Sequence, residues 1–110
     1  MAGRIEIVRG GTETDKSVAI QGRITVSNSG EMRTTLADAL RSKPASVLVD
    51  LSGVPYIDTS GLATLIEAAR IARSQGIRLI LDGIHDQPHY FFEITHLDRL
   101  FEIRGQEVRA

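Results

Sequence analysis

The side chains with the clearest chemical potential lie in one short segment, residues 56–62, with the sequence YIDTSGL. The segment follows a strongly apolar stretch and precedes residues with helical spacing, so we predict a turn from a buried strand into a helix at about Ser60. The start of a helix has unpaired N–H groups and the positive end of the helix dipole, and it therefore tolerates an anion. Ser60 is accordingly a candidate acceptor of an added phosphate, and Gly61 would leave the space around its hydroxyl uncrowded.

Helix capping is the alternative interpretation of the same segment. Asp58, Thr59 and Ser60 belong to residue types that commonly accept hydrogen bonds from the first N–H groups of a helix. Capping is also the more common use of such residues. Side-chain chemistry alone therefore leaves both the capping and the phosphate-accepting roles open.

Three histidines are the other candidates for acid–base or metal chemistry. His85 and His89 lie close in sequence, but Pro88 and a predicted turn interrupt the helix face that they would share. No acid and nucleophile nearby complete a catalytic triad with either of them. We therefore expect His85, His89 and His96 to be solvated, and we predict no catalytic residue and no metal site.

Familiar protease and phosphate-binding motifs find no match. An aspartic protease has a glycine directly after Asp-Thr, whereas Ser60 follows Thr59 here. A phospho-aspartate receiver domain needs a lysine late in the chain, and the lysines of this sequence are Lys16 and Lys43. The Gly-x-x-x-x-Gly-Lys pattern of a P-loop does not occur. These observations argue against an enzyme and against a bound cofactor.

Apolar periodicity and turn residues divide the chain into alternating elements. In chain order, the predicted elements are a strand at 4–8, a strand at 17–20, a short strand at 24–26, a helix at 29–42, a strand at 47–51, a helix from about 60 that Gly76 ends, a strand at 77–81 and a helix that starts near Pro88. Asn28 and Glu31 match a capping box for the first helix. The predicted fold class is α/β: a small mixed β-sheet, built from the N-terminal hairpin plus parallel strands and packed with helices.

Two of these elements allow a prediction about burial. The run at 47–51 is nearly continuous in apolar residues, which is typical of a strand covered on both faces. In the third helix we assign Phe91 and Ile94 to the apolar face, and we expect Tyr90 or Phe92 to be exposed.

Length, composition and charge narrow the functional classes further. The 110 residues correspond to a single domain, 1–110, and the absence of cysteine excludes disulfide scaffolds and thiolate metal sites. The net charge of −1 offers no electrostatic footprint for nucleic acid or an anionic membrane. No apolar run reaches the roughly 18 residues that span a bilayer, and no secretory signal is recognisable. We therefore expect a cytoplasmic protein that binds neither nucleic acid nor membrane.

Three stretches of the sequence resemble the STAS family, which includes the anti-sigma factor antagonists. They read VLVDLSGVPYIDTSGLATLIEA at 47–68, GIRLILDGI at 76–84 and FEITHLDRLFEI at 92–103. The resemblance extends over about residues 4–104, and its most specific part is the Asp-Thr-Ser-Gly-Leu motif after a buried strand. It implies the STAS fold and, for the serine before the glycine, phosphorylation of Ser60, with Thr59 as a secondary candidate.

The resemblance also implies a partner switch. The unphosphorylated antagonist binds an anti-sigma factor that is also a serine kinase, the kinase uses ATP to phosphorylate Ser60, and a serine phosphatase resets the cycle. The partner-binding residues that the motif carries over are Thr25, Asp58, Thr59, Ser60, Gly61 and Leu62.

One part of the sequence departs from the family pattern. Many antagonists have Gly-Glu-Leu-Asp at positions 22–25, where this chain has Gly-Arg-Ile-Thr, so Thr25 replaces a charged group with a neutral hydroxyl. Kinase recognition would then differ from that of the common antagonists. The alternative function is a STAS regulatory subunit of a lipid-transport ABC complex, or of another signalling assembly, without a phosphorylation cycle.

Overall fold

The structure, a computed structural model, describes residues 3–105. Within that range the chain forms a five-stranded sheet, three α-helices and one short 3-10 helix. In chain order the elements are β1 (Glu6–Gly11), β2 (Asp15–Gln21), α1 (Ser29–Arg41), β3 (Ser46–Gly53), α2 (Thr59–Ser74), β4 (Arg78–Asp82), α3 (Asp86–Ile94), the 3-10 helix (Leu97–Leu100) and β5 (Glu102–Arg104).

The sheet is mixed, with the strand order β1-β2-β3-β4-β5. β1 and β2 pair in antiparallel orientation as the predicted hairpin, and the other neighbouring pairs are parallel. The hairpin reverses at Gly11, whose φ of +82° is a conformation that glycine adopts without steric strain. The predicted α/β class and the mixed sheet are therefore confirmed.

The core forms where alternate residues of the strands meet the helices. Val47, Val49 and Leu51 of β3 are at most 1% exposed, and they belong to one apolar cluster with side chains of α1 and α2. Leu48 and Asp50, which alternate with them, are half-buried. The expectation that both faces of this strand are covered was wrong, because only its alternate residues join the helix-packed cluster.

Short elements differ most from the prediction. The expected strand at 24–26 is reduced to one parallel bridge between Ile24 and Ile57, because the next N–H in line, that of Val26, is bonded to a side chain instead. β5 was not predicted, and it pairs with β4 over only three residues. Two helix boundaries differ from the predicted ones by one residue: α1 ends at Arg41 and α2 begins at Thr59.

α3 buries a different face from the one predicted. Phe92 is 2% exposed, whereas Phe91 is only half-buried. Tyr90 and Ile94 are 60% and 54% exposed. The exposure of Tyr90 and the packing of Phe91 against the core are therefore confirmed, whereas the place of Ile94 on the apolar face was wrong. The helix has just nine residues, and one helical turn decides its inward side. The buried residues of α3 are Pro88, His89 and Phe92.

The expectation of uniformly solvated histidines was also wrong. His89 is buried, and His85 is partly buried with Nε2 2.8 Å from the Ser52 carbonyl oxygen. The reason is that α3 begins against the end of β3, while His96 lies beyond the helix and is exposed. Among residues 3–105, His, Asp and Glu side chains form no group that could hold a metal ion. No helix in this range combines the length and the apolar character needed to cross a bilayer.

Candidate functional site

The backbone before α2 is clamped on two sides at Ile57. On one side, the Ile24 N–H donates to the Tyr56 carbonyl at 2.9 Å and the Asp58 N–H donates to the Ile24 carbonyl at 3.0 Å. On the other side, the side-chain amide of Gln87 accepts from the Ile57 N–H at 2.9 Å and donates to its carbonyl at 3.0 Å. Gln87 thus pairs with Ile57 as a neighbouring strand would, and the turn that carries the candidate hydroxyl is held rigidly.

Asp58 is the N-cap of α2 and the centre of the site's hydrogen bonds. Its Oδ1 accepts from the Ser60 N–H at 2.9 Å, from the Gly61 N–H at 3.2 Å and from the Ser60 hydroxyl at 2.5 Å. Its Oδ2 accepts from the Val26 N–H at 3.0 Å. One carboxylate therefore caps the helix, orients the serine and ties the helix start to the segment before α1.

The electrostatic state of Asp58 follows from the balance of two effects. Partial burial by itself raises the pKa of the carboxyl, since it disfavours the charged form. The hydrogen bonds from the Ser60 hydroxyl and from the Gly61, Val26 and Ser60 N–H groups act in the opposite direction, and together they outweigh burial. The pKa of Asp58 is consequently lowered from 3.8, and the site carries a full negative charge at neutral pH.

Ser60 lies in the first turn of α2 and is partly exposed. Its hydroxyl proton is donated to Asp58, so the Oγ lone pairs remain available for another partner. Thr59, the preceding residue, is exposed. The structure assigns the capping role to the Asp58 side chain, whereas Ser60 is a partly exposed residue whose hydroxyl does not cap the helix.

Gly61 and Leu62 point into the protein rather than toward a partner. A Cβ on Gly61 would lie 2.6 Å from Cγ1 of Ile57 and 2.7 Å from Cγ2 of Ile24. Leu62 is 5% exposed in the core. The explanation of Gly61 as open space around the hydroxyl was therefore wrong, because the glycine permits close packing of α2 on the Ile24–Ile57 bridge. Both residues support the site, and the accessible members of the predicted set are Thr25, Asp58, Thr59 and Ser60.

Thr25 reaches the site through its neighbour Val26. Thr25 is partly exposed, and its Oγ1 is 2.8 Å from Oγ of Ser27. Val26 donates its N–H to Asp58 and exposes 79% of its side chain. Thr25 and Asp58, two members of the predicted partner-binding set, are thus brought to one surface, although within residues 3–105 their side chains are not hydrogen-bonded to each other.

Asn28 holds this segment from the other side. It is 6% exposed, its Oδ1 accepts from the Thr25 N–H at 3.0 Å, and its Nδ2 donates to the carbonyls of Gly3 and Arg23, both at 2.8 Å. The capping box predicted with Glu31 was wrong, because the Asn28 side chain makes no cap bond and the Glu31 N–H is bonded to the Asn28 backbone carbonyl.

The sequence comparison agrees with this geometry. A family model of the STAS domain matches residues 8–110. The chain belongs to the STAS domain family. The anti-sigma-B factor antagonist of Listeria monocytogenes is 30% identical over 91 residues, which are 82% of this chain and 79% of that protein. A protein of the same name from Bacillus subtilis is 29% identical over 94 residues, which are 86% and 85% of the two chains.

Solved structures support the same fold. The crystal structure of an anti-sigma factor antagonist from Mycobacterium paratuberculosis matches with a TM-score of 0.80, at 16% identity, over 93% of this chain and 86% of that chain. The resemblance to the STAS family that the sequence motifs indicated is therefore confirmed, and so is the STAS fold.

The sequence did not predict the roles of two residues of this STAS domain, Gln87 and Asn28. No sequence pattern marked Gln87 as important, since polar residues are common in the first turn of a helix. Asn28 left a signal that was assigned to capping, and its actual partners include Gly3, 25 residues away. Only a structure reveals that these two amides position the loop and the turn of the site.

Proposed function

We propose that this STAS domain is an anti-sigma factor antagonist that acts by partner switching in the cytoplasm. The unphosphorylated form binds an anti-sigma factor that is also a serine kinase, and it thereby releases the sigma factor. Phosphorylation of Ser60 ends that binding, and a serine phosphatase restores the active form. Family membership and relatives named anti-sigma-B factor antagonist support the general role.

The observation that carries the proposal is the environment of the Ser60 hydroxyl. Ser60 is a partly exposed residue in the first turn of α2, and its hydroxyl proton is directed at the Asp58 carboxylate at 2.5 Å. This orientation leaves a lone pair free to attack an electrophile that approaches from solvent. A helix N-terminus also stabilises the negative charge that phosphorylation adds.

The phosphoryl transfer has a simple balance. Ser60 Oγ attacks the γ-phosphorus of ATP held by the kinase, an O–P bond forms, and the bond from that phosphorus to the departing ADP oxygen breaks. The hydroxyl proton passes to the Asp58 carboxylate, which already accepts it, and from there to water. The products are phosphoserine and ADP.

The added group changes the charge and the hydrogen bonds of the surface together. A phosphate of about −1.5 to −2 charges would lie beside the ionised Asp58 and compete for the Ser60 and Gly61 N–H groups. Repulsion would then weaken the hold of Asp58 on the Val26 N–H. We therefore expect phosphorylation to alter both the charge at α2 and the position of the exposed Val26 side chain, which disfavours the docked partner.

The decisive experiment is phosphorylation by serine kinases of the host, with ATP and mass-spectrometric mapping. Wild type and Thr59→Ala should each gain one phosphate on Ser60, whereas Ser60→Ala should gain none. Thr59→Ala is the matched control, because it removes the adjacent, more exposed hydroxyl from the same helical turn. Phosphorylation of Ser60→Ala, or no phosphorylation of the wild type by any host serine kinase, would contradict the switch.

Partner binding is the second readout. Calorimetry with the host anti-sigma factor should show the same affinity for Ser60→Ala with and without ATP. Phosphorylated wild type should bind at least about tenfold more weakly than unphosphorylated wild type. Ser60→Asp should weaken binding less, since one carboxylate carries less charge than phosphate. Stable co-purification with transport ATPase and permease subunits, with no phosphate cycle, would favour the ABC-complex alternative instead.

A further inference from the structure

A groove with both apolar and charged lining residues lies toward the C-terminal end of α2, away from Ser60. Two adjoining depressions of about 160 and 240 Å³ share Ala69, Arg73 and Leu100 as lining residues. Leu100 belongs to the 3-10 helix before β5 and exposes 44% of its surface, which is high for a large apolar side chain. The groove therefore combines a preformed cleft with an exposed apolar wall.

The other wall of the groove is one face of α2. Ile66, Ala69, Arg70 and Arg73 follow each other at helical spacing, so their side chains form a single stripe along the helix. The floor beneath consists of buried apolar residues. These floor residues are Ala72, Ile77 and Leu79.

The charges at this groove are uncompensated. Arg70 and Arg73 are exposed, and within residues 3–105 neither forms an ion pair with an acidic side chain. Glu102 also lines the groove, but it forms a two-bond ion pair with Arg78. Two free guanidinium groups beside an apolar cleft complement a ligand that combines apolar and carboxylate side chains.

We infer that this groove docks an acidic amphipathic peptide segment of a partner protein. An apolar side chain of the segment fills the cleft between α2 and Leu100, and its carboxylates pair with Arg70 and Arg73. Helix-in-groove recognition commonly takes this form, with apolar anchors on one face and charges at the rim. This interaction surface goes beyond the proposed antagonist function.

Binding at the groove should not depend on phosphorylation of Ser60, because the groove's charged side chains are far from that residue. At about 1.5 Å of rise per residue, Arg73 lies roughly 20 Å from Ser60 along α2. Screening at physiological salt acts over about 8 Å, so a phosphate on Ser60 has little effect on charges at the groove. The inferred contact therefore persists through a phosphorylation cycle, so the protein that docks in the groove stays bound when phosphorylation of Ser60 releases the anti-sigma factor.

The test is a display selection on the folded, full-length protein with a random library of peptides about 12 residues long. The enriched peptides should carry apolar residues at helical spacing together with Asp or Glu. A representative enriched peptide, added to ¹⁵N-labelled protein, should shift the amide signals of Ala69 and Leu100 and leave that of Ser60 unchanged. Phosphorylated and unphosphorylated protein should bind it with equal affinity.

The charge-reversal variant Arg73→Glu should bind the peptide about tenfold more weakly or worse. Arg41→Glu is the control for the change in net charge, since Arg41 is the basic residue in the last turn of α1 as Arg73 is in the last turn of α2. Arg41→Glu also loses an ion pair with Asp38 outside the groove, so both variants are first shown to be folded, and Arg41→Glu should then retain affinity for the peptide.

Several outcomes would overturn the inference. They are no enrichment above the uncoated support, enriched peptides without acidic residues, signal shifts confined to the Ser60 turn, and equal losses in the two charge-reversal variants. Groove shifts produced by oleate but by no enriched peptide would replace the peptide ligand with a fatty acid.

Discussion

The N-termini of α1 and α2 lie on either side of the same short loop, and they use their capping residues in opposite ways. The Asn28 side chain at α1 makes no cap bond, and it connects Thr25, Gly3 and Arg23 in the interior. The Asp58 side chain at α2 caps the helix, accepts the Ser60 hydroxyl and stays partly exposed. The Asn28 side chain is a structural brace, whereas the start of α2 has a capping carboxylate and a serine hydroxyl in a partly exposed turn.

The chemistry of the two side chains explains the difference. An amide donates and accepts, so Asn28 satisfies two carbonyls and one N–H at a buried position. A carboxylate only accepts, so Asp58 collects N–H groups and a hydroxyl, and it holds its charge where a phosphate would later lie. The two ends are coupled, because Asp58 also bonds the Val26 N–H in the loop that Asn28 braces.

Exchanging the two capping residues is the strongest way to test this contrast. Asn28→Asp cannot donate to the carbonyls of Gly3 and Arg23, and it directs a charge at them in a buried site. We expect the free energy of unfolding, measured with urea, to fall by about 3 kcal/mol. The reciprocal Asp58→Asn keeps an acceptor for the Ser60 and Gly61 N–H groups but loses the acceptor for the Val26 N–H. Because this position is partly exposed, the loss should be smaller, about 1 kcal/mol. Equal losses would refute the contrast between a buried brace at Asn28 and a partly exposed cap at Asp58.

The first-turn glycines of the two helices give a second, smaller contrast. Gly61→Ala should lower the free energy of unfolding by about 2 kcal/mol, because its Cβ would press against Ile57 and Ile24. Gly30→Ala is the matched control in α1, since a Cβ there meets nothing within 4 Å. It should stabilise the protein by about 0.5 kcal/mol through the reduced entropy of the unfolded chain. Thermal or urea unfolding of both variants measures the difference, and a neutral Gly61→Ala would contradict the close packing of α2.

The smallest expected effect is the pH dependence of the Asp58 cap. The pKa of Asp58 is lowered in the folded state from 3.8, so its charged form stabilises the fold above that pH, and the stabilisation is lost as pH falls through the lowered value. The stability difference between wild type and Asp58→Asn should therefore be constant near neutral pH and shrink in acid. Other carboxyls with lowered pKa values, such as Asp38 and Glu102, cancel because both proteins contain them. A difference that does not change between pH 7 and the acid range would exclude a charged cap.

Much of the fold could be predicted because its signals are local. Apolar spacing identified β3 and α2, and the turn-forming residues near Gly11 identified the hairpin. The predictions failed where an element was too short for its own periodicity to decide. β5 has only three residues. The expected strand at 24–26 stops after one bridge, because the Val26 N–H is donated to the Asp58 side chain instead of to a neighbouring strand.

The candidate site was also predicted only in part. Asp58, Thr59 and Ser60 were identified because the residue types at a strand-to-helix turn carry their own chemical meaning. The close packing at Gly61 was missed, since it depends on how the bridge between Ile24 and Ile57 lies against α2, and Ile24 is far away in the chain. Phe92 is buried more deeply than Phe91 for a similar reason, because the surface against which α3 packs determines which face of the helix is buried.

The amino-acid sequence by itself determined the alternation of strands and helices, the mixed sheet and the serine at the start of α2, because neighbouring residues along the chain set those features. Only the tertiary structure decided that Asn28 braces a loop instead of capping a helix, and that Gln87 completes the pairing of Ile57 from 30 residues away. Hydrogen bonds between distant residues depend on which surfaces meet when the chain folds. That information is distributed over the whole sequence, and no local pattern contains it.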